Sequence, residues 1–323
     1  MSVIAFDLGG TKLASALFTD GGEILFSETM PLDKRKGKDV GHFIIQYTNL
    51  LLKKAVAEGS PATSLGICVP GIVYAKSGKV WAPNIPGWDD YPLLHELQEG
   101  VKDDIKIKID SDRACSILGE VWKGNGRGCS DAIFLAVGTG IGAGILANNQ
   151  VLRGVGDVAG AIGWLGLSQP FQEKFIPCGC FEYNASGEGI IKVAREMAKN
   201  GMYPDTILFQ EEKNSFSAKD VFAAYDKGDA LAVAVIKNAI QYWGLAVANL
   251  VSLFNPEKIL FGGGVFGPAI PFLVDIYNEA KKWSQPVSIR QVQLQPSALG
   301  SEAGLYGAAY LTLKEESEHK ADV

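Results

Sequence analysis

The chain opens on a short apolar run, Val3–Phe6, which breaks at Asp7-Leu8-Gly9-Gly10-Thr11-Lys12 and resumes as an alternating stretch, Leu13–Phe18. A polar turn at Asp20–Glu23 leads into a third run, Ile24–Met30. Alternation with period two on either side of turn residues predicts an antiparallel meander of three strands. Apolar positions then shift to helical spacing over 41–58, through Phe43, Ile44, Tyr47, Leu50, Leu51 and Ala55. Ser64–Val69 reads as a buried strand ending on Pro70-Gly71. Ile105–Ile109 reads as another, ending on Asp110-Ser111-Asp112, with a helix over Arg113–Lys123.

The same layout then returns. Ala132–Val137 and Ile141–Ala147 read as strands about a Gly138-Thr139-Gly140 turn, and Asn148-Asn149 turns into a short strand at Val151–Arg153. Helices are predicted over Glu188–Lys199, Ala218–Lys227 and Ala230–Leu253. A strand at Lys258–Phe261 runs into Gly262-Gly263-Gly264, and a small-residue helical stretch closes at Gly300–Leu313. Strand, glycine turn and strand occurring twice, each followed by mixed segments, predicts two duplicated α/β domains with a cleft between them. The expected domains are 1–115 and 116–299, with a final segment of about 300–323 packing back on the first.

Composition narrows the partners. With 47% hydrophobic and 20% charged residues, sizeable cores form and general disorder is excluded. A net charge of −6 argues against nucleic acid as the main partner. It leaves room for an anionic nucleotide, because backbone N–H groups hold phosphates without many Lys or Arg side chains. Five scattered cysteines fit free thiols in a reducing compartment. No signal-peptide pattern is visible, and no apolar run reaches the roughly 18 residues of a membrane span. The expectation is a cytoplasmic protein without membrane partners.

Each glycine turn alone reads equally as an ordinary hairpin or as a phosphate loop. In the first, Gly9 and Gly10 let the backbone approach phosphate oxygens, Thr11 offers a hydroxyl, Lys12 follows, and Asp7 is placed to hold Mg²⁺ through water. Gly138, Thr139 and Gly140 repeat the device. Two such turns at matching positions of duplicated halves are far more specific, and together they grip one polyphosphate. Gly263 and Gly264 offer a backbone free of side chains for adenosine. Asp112, between a strand end and a helix start, suits a general base for a hydroxyl attacking a γ-phosphoryl group, or a helix N-cap. Ser111 can cap while Asp112 faces the cleft. Arg113 either favours an anionic substrate and holds Asp112 ionised, or pairs with Asp110 or solvent.

With these residues in place, the chain resembles, nearly end to end, the ROK family of sugar kinases and repressors, in its glucokinase-like branch. Asp7–Lys12 looks like the family's first phosphate motif, Ala136–Gly144 its second, and Phe261–Gly264 its adenosine motif. Val69-Pro70-Gly71 and Ala82–Trp88 look like its substrate-side loops, and Asp112, upstream of Glu120, like its catalytic base. The resemblance implies a duplicated actin-like (RNase H-like) ATPase fold, ATP with Mg²⁺ as cofactors, a carbohydrate-like acceptor, and a homodimer through the second domain. Gly71, Asn84, Gly87, Ser111 and Trp164 fall at substrate-side positions.

The departures concern the acceptor. Ser111 stands where the family has Asn, and the family's Glu-x-Gly-His reads Ala161-Ile162-Gly163-Trp164, so the side chains that hold sugar hydroxyls are missing. Trp164 offers a ring face for stacking, or fills space left by the family's zinc loop. The leading reading is an ATP-dependent kinase of a sugar or sugar-like hydroxyl with an atypical acceptor site. The alternative is a nucleotide-binding sensor or degenerate kinase. A repressor is disfavoured by the acidic balance and by a first strand that begins at Val3. The zinc loop is reduced to Cys178-Gly179-Cys180, with none of the three histidines nearby, and two thiolates make a poor tetrahedral site. Elemental analysis of tag-free protein is therefore expected to find no stoichiometric zinc; about one zinc per chain would refute that expectation.

Overall fold

In the computed structural model, which describes residues 1–209 and 216–314, the N-terminal runs pair as β1 (Ser2–Leu8), β2 (Lys12–Thr19) and β3 (Ile24–Pro31). The chain continues through α1 (Lys38–Ala57), β4 (Ala62–Val69), β5 (Ile72–Tyr74), β6 (Lys79–Trp81), α2 (Leu93–Gly100), β7 (Lys106–Ser111) and α3 (Asp112–Lys123). The sheet order is β3-β2-β1-β4-β7, antiparallel across the meander and parallel from β1 through β4 to β7. Strand alternation sorts its residues to two faces. Ile4, Phe6 and Leu8 pack with Val40, Ile44 and Leu51 of α1. Val3, Ala5 and Cys68 pack on the opposite face with Cys115 of α3.

The second copy comprises β8 (Ala132–Val137), β9 (Ile141–Ala147), β10 (Gln150–Val151), α4 (Cys180–Ala185), α5 (Gly187–Lys199), α6 (Ala218–Asp226), α7 (Ala230–Phe254), β11 (Lys258–Gly262), α8 (Leu273–Lys281), α9 (Ser288–Gln291) and β12 (Gln293–Pro296). Its order, β10-β9-β8-β11-β12, repeats that of the first sheet, meander first and parallel strands after. The chain folds into two compact units. The first holds Met1–Arg127, Arg153–Ala159 and the C-terminal stretch from Glu302; the second holds Gly128–Leu152 and Gly160–Ser301. Helix α3 thus lies wholly in the first unit, beyond the expected division at 115/116. The expected strand Val151–Arg153 stops at Val151, because Arg153 leaves the second sheet for the first unit. Residues 315–323 of the expected C-terminal segment lie outside the described residues.

The last helix, α10 (Ala303–Leu313), follows a 3₁₀ turn at Gly300–Glu302 and packs on α3, β1 and β4. Here backbone lies against backbone. A Cβ on Gly66 of β4 would stand 1.8 Å from the Ala308 carbonyl oxygen, one on Gly119 of α3 2.2 Å from that of Ala303, and one on Gly307 of α10 1.7 Å from that of Cys115. No real side chain tolerates such distances, so glycine is what lets these segments touch. The rim is aromatic: Phe18 meets the Tyr306 ring edge-on at 4.9 Å, and Trp122 stacks on Tyr310 at 5.5 Å.

Helix α7 is the longest of the described helices. By length and composition it would pass for a membrane span, with a mean hydropathy of 1.4 over its best window. Lys237, Asn238 and Gln241 interrupt its apolar run, so no unbroken apolar stretch in it reaches the length of a span. In the fold, Leu231, Val235, Ile236, Trp243, Val247 and Val251 are buried in the core of the second unit. Asp229 caps its start by accepting from the Ala232 N–H at 2.8 Å, and Asn255 ends it in the left-handed region at φ 44°.

Substituting Gly66→Ala or Gly307→Ala is expected to lower stability by about 1–3 kcal/mol or more through overpacking. The control Gly21→Ala, whose Cβ meets only Thr19 Oγ1 at 3.6 Å, is expected to change little. Thermal or denaturant unfolding of the three variants checks this.

Candidate active site

Three neighbouring strands of the first unit end on chemically active residues. The parallel register sets Asp7 of β1 beside Cys68 of β4, and Cys68 beside Asp110 of β7. The C-terminal ends of parallel strands are where α/β sheets commonly bind ligands. Asp7 is half-buried, and burial raises its carboxyl pKa against a hydrogen bond from the Cys68 thiol and the charge of Lys12. Gly304 of α10 closes over this row; a Cβ there would lie 3.0 Å from Asp7 Oδ2 and 3.1 Å from Cys68 Sγ. Below it Cys68 and Cys115 are fully buried, and their thiol pKa values are pushed up, chiefly by their mutual hydrogen bond at Cys68 and by burial at Cys115.

The turn from β7 into α3 is pinned at several points. Ser111 is the N-cap of α3, its Oγ accepting from the Ala114 N–H at 3.3 Å, so the hydroxyl is engaged with the helix. Asp112 is the first helical residue, and its Oδ1 accepts from the Arg113 N–H at 2.8 Å. Its carboxylate has a solvent-exposed face, yet the protein crowded around it pushes the pKa up to about 6. Burial is the leading cause. Arg113, by charge and N–H, acts against it, and the negative charge of Asp7 adds to it. Asp7 and Asp112 therefore sense one another across the strand ends.

Arg113 does not take Asp110; a residue the sequence reading passed over does. Arg153 Nη1 donates to Asp110 Oδ1 at 2.8 Å and Nη2 to Oδ2 at 2.6 Å, a bidentate pair. The Asp110 side chain is 2% exposed and that of Arg153 37%. The Ser111 N–H also donates to Asp110 Oδ1 at 2.8 Å, which ties the pair to the backbone directly before Asp112.

The first glycine turn closes through the Gly9 N–H and the Lys12 carbonyl at 2.8 Å, leaving Gly10, Thr11 and Lys12 exposed. Asn84 lies against it, with its backbone oxygen 3.2 Å and its Cβ 3.3 Å from a Cβ built on Gly10. Gly71 and Gly87 sit at backbone crossings instead. A Cβ on Gly71 would strike the Trp81 carbonyl oxygen at 2.2 Å, and one on Gly87 would come within 3.2 Å of Gly37 Cα. The loop carrying Asn84 is braced by buried Trp88, which stacks on Tyr91 at 4.5 Å and donates from Nε1 to the Gly37 carbonyl at 3.0 Å.

In the second unit, the Gly138 N–H donates to the Gly140 carbonyl at 2.9 Å, and the Gly187 N–H to the Gly138 carbonyl at 2.7 Å. That second bond seats the N-terminus of α5, the positive end of its dipole, against the turn. Thr139 is exposed, and a Cβ on Gly138 would meet nothing within 4 Å. The Gly262-Gly263-Gly264 run divides. A Cβ on Gly262 would strike the Phe134 ring at 2.3 Å, and one on Gly263, at φ +87°, would come as close to the Val137 carbonyl oxygen as 2.4 Å. Two of the three glycines are thus explained by packing alone, and Gly264 is the one that fronts open space.

Glu182 is the second residue the sequence reading passed over. Its Oε2 accepts from the Ile141 N–H at 2.7 Å and lies within 2.6 Å of a Cβ built on Gly140 and 3.0 Å of one on Gly163. Burial raises its carboxyl pKa against that N–H. Trp164 is 60% exposed and fills no interior space; Phe175, only 4% exposed, does. Cys180 Sγ sits 3.3 Å from Ser168 Oγ. Among the described residues, no group of three or more His, Cys, Asp or Glu side chains is arranged to hold a metal ion.

The sequence matches the profile described as the ROK family over residues 3–315. It is 33% identical to the glucokinase of Halalkalibacterium halodurans, over 97% of this chain and 96% of that one. It is 32% identical to the xylose repressor of Caldicellulosiruptor bescii, over 97% of this chain and 78% of that one. The crystal structure of a ROK family glucokinase from Streptomyces griseus in complex with glucose and AMPPNP superposes with a TM-score of 0.74 at 27% identity, covering 97% of this chain and 99% of that one. The fold is the actin-like α/β fold of these kinases.

Arg153→Ala strands a buried carboxylate. Breaking a buried ion pair costs about 3–5 kcal/mol, and a third of the Arg153 side chain stays in water, so the lower end of that range or less is expected. Arg153→Lys, which cannot form the fork, is expected to recover only part of it, as read from denaturant midpoints.

Proposed function

The chain belongs to the ROK family, and on that footing we propose that it is an ATP-dependent carbohydrate kinase in which Asp112 is the general base. The observation that carries this is the state of Asp112: exposed at the start of α3, with a carboxyl pushed up to about 6. A base works best when its pKa lies near the working pH and the donating hydroxyl can reach its carboxylate oxygen.

Bound Mg·ATP supplies the γ-phosphoryl group, and the residues fit it. Each unit by itself offers donors of the kind that phosphate oxygens accept from: Gly10, Thr11 and Lys12 in the first, Thr139 and Gly140 in the second, where the α5 N-terminus backs them. Gly138 and Gly264 leave the open space that a close-lying ligand requires. Asp7, raised in pKa by burial, gains from a nearby cation, and Mg²⁺ held with a nucleotide needs only one or two carboxylates. Asp112 takes the proton of the acceptor hydroxyl as that oxygen bonds to the γ-phosphorus and the β–γ bridging oxygen leaves with ADP. The products are ADP, a phosphorylated carbohydrate and the proton on Asp112.

The acceptor site departs from that of a hydroxyl-reading glucokinase. Ser111 is committed to capping α3, and Ala161 and Trp164 present no hydrogen-bonding carboxylate or imidazole. The same substitutions favour a second reading, a nucleotide-binding sensor without transfer.

Asp112→Asn is expected to reduce kcat/KM by about 10²–10⁴-fold while leaving the nucleotide Kd unchanged. Unchanged turnover would rule out the base assignment, and nucleotide binding without turnover on any sugar in the parent protein would favour the sensor. The base acts ionised, so with its pKa raised to about 6 the rate should climb as pH rises through 6 and level off above it. Stability runs the other way: the fold holds the protonated form better, and that contribution is lost as pH rises through the same value.

A further inference from the structure

Next to Gly163 the second unit carries a groove of about 610 Å³, within the usual size range of small-ligand sites. Trp164, Phe171, Phe175 and Ile176 wall it, Ser168 and Gln169 contribute polar groups, and its described lining holds no charged side chain. Three of those walls stand in water: Trp164 is 60%, Phe171 70% and Ile176 61% exposed. The surface beneath them is firm. Buried Phe175 meets Phe171 edge-on at 6.4 Å and Tyr183 at 5.6 Å, and Cys180 lies against Ser168.

Within the second unit, the groove neighbours the glycine turn through Gly163 and Trp164. A Cβ on Gly163 would lie 3.0 Å from Glu182 Oε2 and 3.1 Å from the carbonyl oxygen of Ile141, the residue after the second glycine turn. One on Gly179 would lie 2.5 Å from Trp164 Cα. Trp164 is therefore one residue removed from a carboxylate and a phosphate-type turn on one side and forms the groove wall on the other.

We infer that the acceptor carries an uncharged apolar substituent, aryl or alkyl, which stacks on Trp164 and enters the groove between Phe171 and Ile176. The substrate class is then a hydrophobic glycoside rather than a free hexose. This rests on the kinase reading for the transfer step, but not for the binding. Stacking and apolar burial replace the polar contacts that Ala161 and Trp164 no longer make. The lining itself offers no charged partner to a phosphorylated or carboxylated substituent, and the nearby Lys174 ammonium is paired with Glu196.

The test uses the full chain with Mg·ATP and matched methyl and phenyl glycosides of glucose, mannose and N-acetylglucosamine, in both anomers. Phosphorylation kinetics are run beside calorimetric titration of each ligand. A phenyl over methyl preference of about tenfold or more in kcat/KM is expected for at least one sugar. Phe171→Ala and Ile176→Ser should bring that ratio to near one without changing turnover of the methyl glycoside. A ratio near one in the parent protein overturns the inference. So does a Phe171→Ala variant that turns a dimer into a monomer with the ratio intact, since the groove would then be an interface between copies. If no glycoside is phosphorylated, calorimetry separates the two claims. Saturable phenyl glycoside binding that Phe171→Ala abolishes upholds the groove while the kinase reading fails; no binding overturns the groove.

Discussion

The first unit depends on bare backbones meeting face to face. Gly66, Gly119 and Gly307 let α10 approach β4 and α3 closer than any side chain would permit. Apolar burial supplies the attraction, but the missing Cβ atoms set the distance, and close packing makes that distance consequential. The last helix thereby becomes the roof over the ends of the first strands. Gly304 closes on Asp7 and Cys68, and Cys115 of α3 fills the space beneath. The pKa of Asp7 follows from this roof, because burial is what raises it.

Electrostatics then distributes roles among three acidic residues near one another. Asp7, Asp110 and Asp112 would repel if all were bare. Arg153 removes Asp110 from that competition with a bidentate grip, so the Asp110 charge is compensated where it is buried. Asp112 is left with a single weak countercharge from Arg113 and with burial as its leading influence, and it is the carboxyl that moves to about 6. One guanidinium thus occupies the Asp110 carboxylate, while burial is what raises the carboxyl of Asp112.

Local signals carried most of the fold. Alternation of apolar residues marked both meanders, and the glycine turns marked where they reverse, because these depend on neighbours in sequence. The cap at Ser111 was visible for the same reason. What escaped needed topology. Arg153 closes the short strand expected after β9, and only the return of its segment to the first unit brings it to Asp110, 43 residues away. Glu182 stood beside the cysteines and was overshadowed by them; a carboxylate just inside α4, ahead of a second helix start at Ser186, was the available signal. The glycines at 262–264 also serve packing, since Phe134 and Val137 come close to two of them through a strand approach that no spacing reveals. The substitutions at Ala161 and Trp164 were legible as losses, while the groove that Trp164 borders was not, because its walls come from residues scattered over 164–180.

Cys68 and Cys115 give the molecule an internal clock. Both thiols are buried under α10 and have raised pKa values, so little thiolate is present and no alkylating reagent reaches it while the helix is seated. Cys178, half-exposed on the second unit, has no such cover. The order in which these sulfurs become modified would therefore time the lifting of the final helix separately from events in the second unit, without any added label.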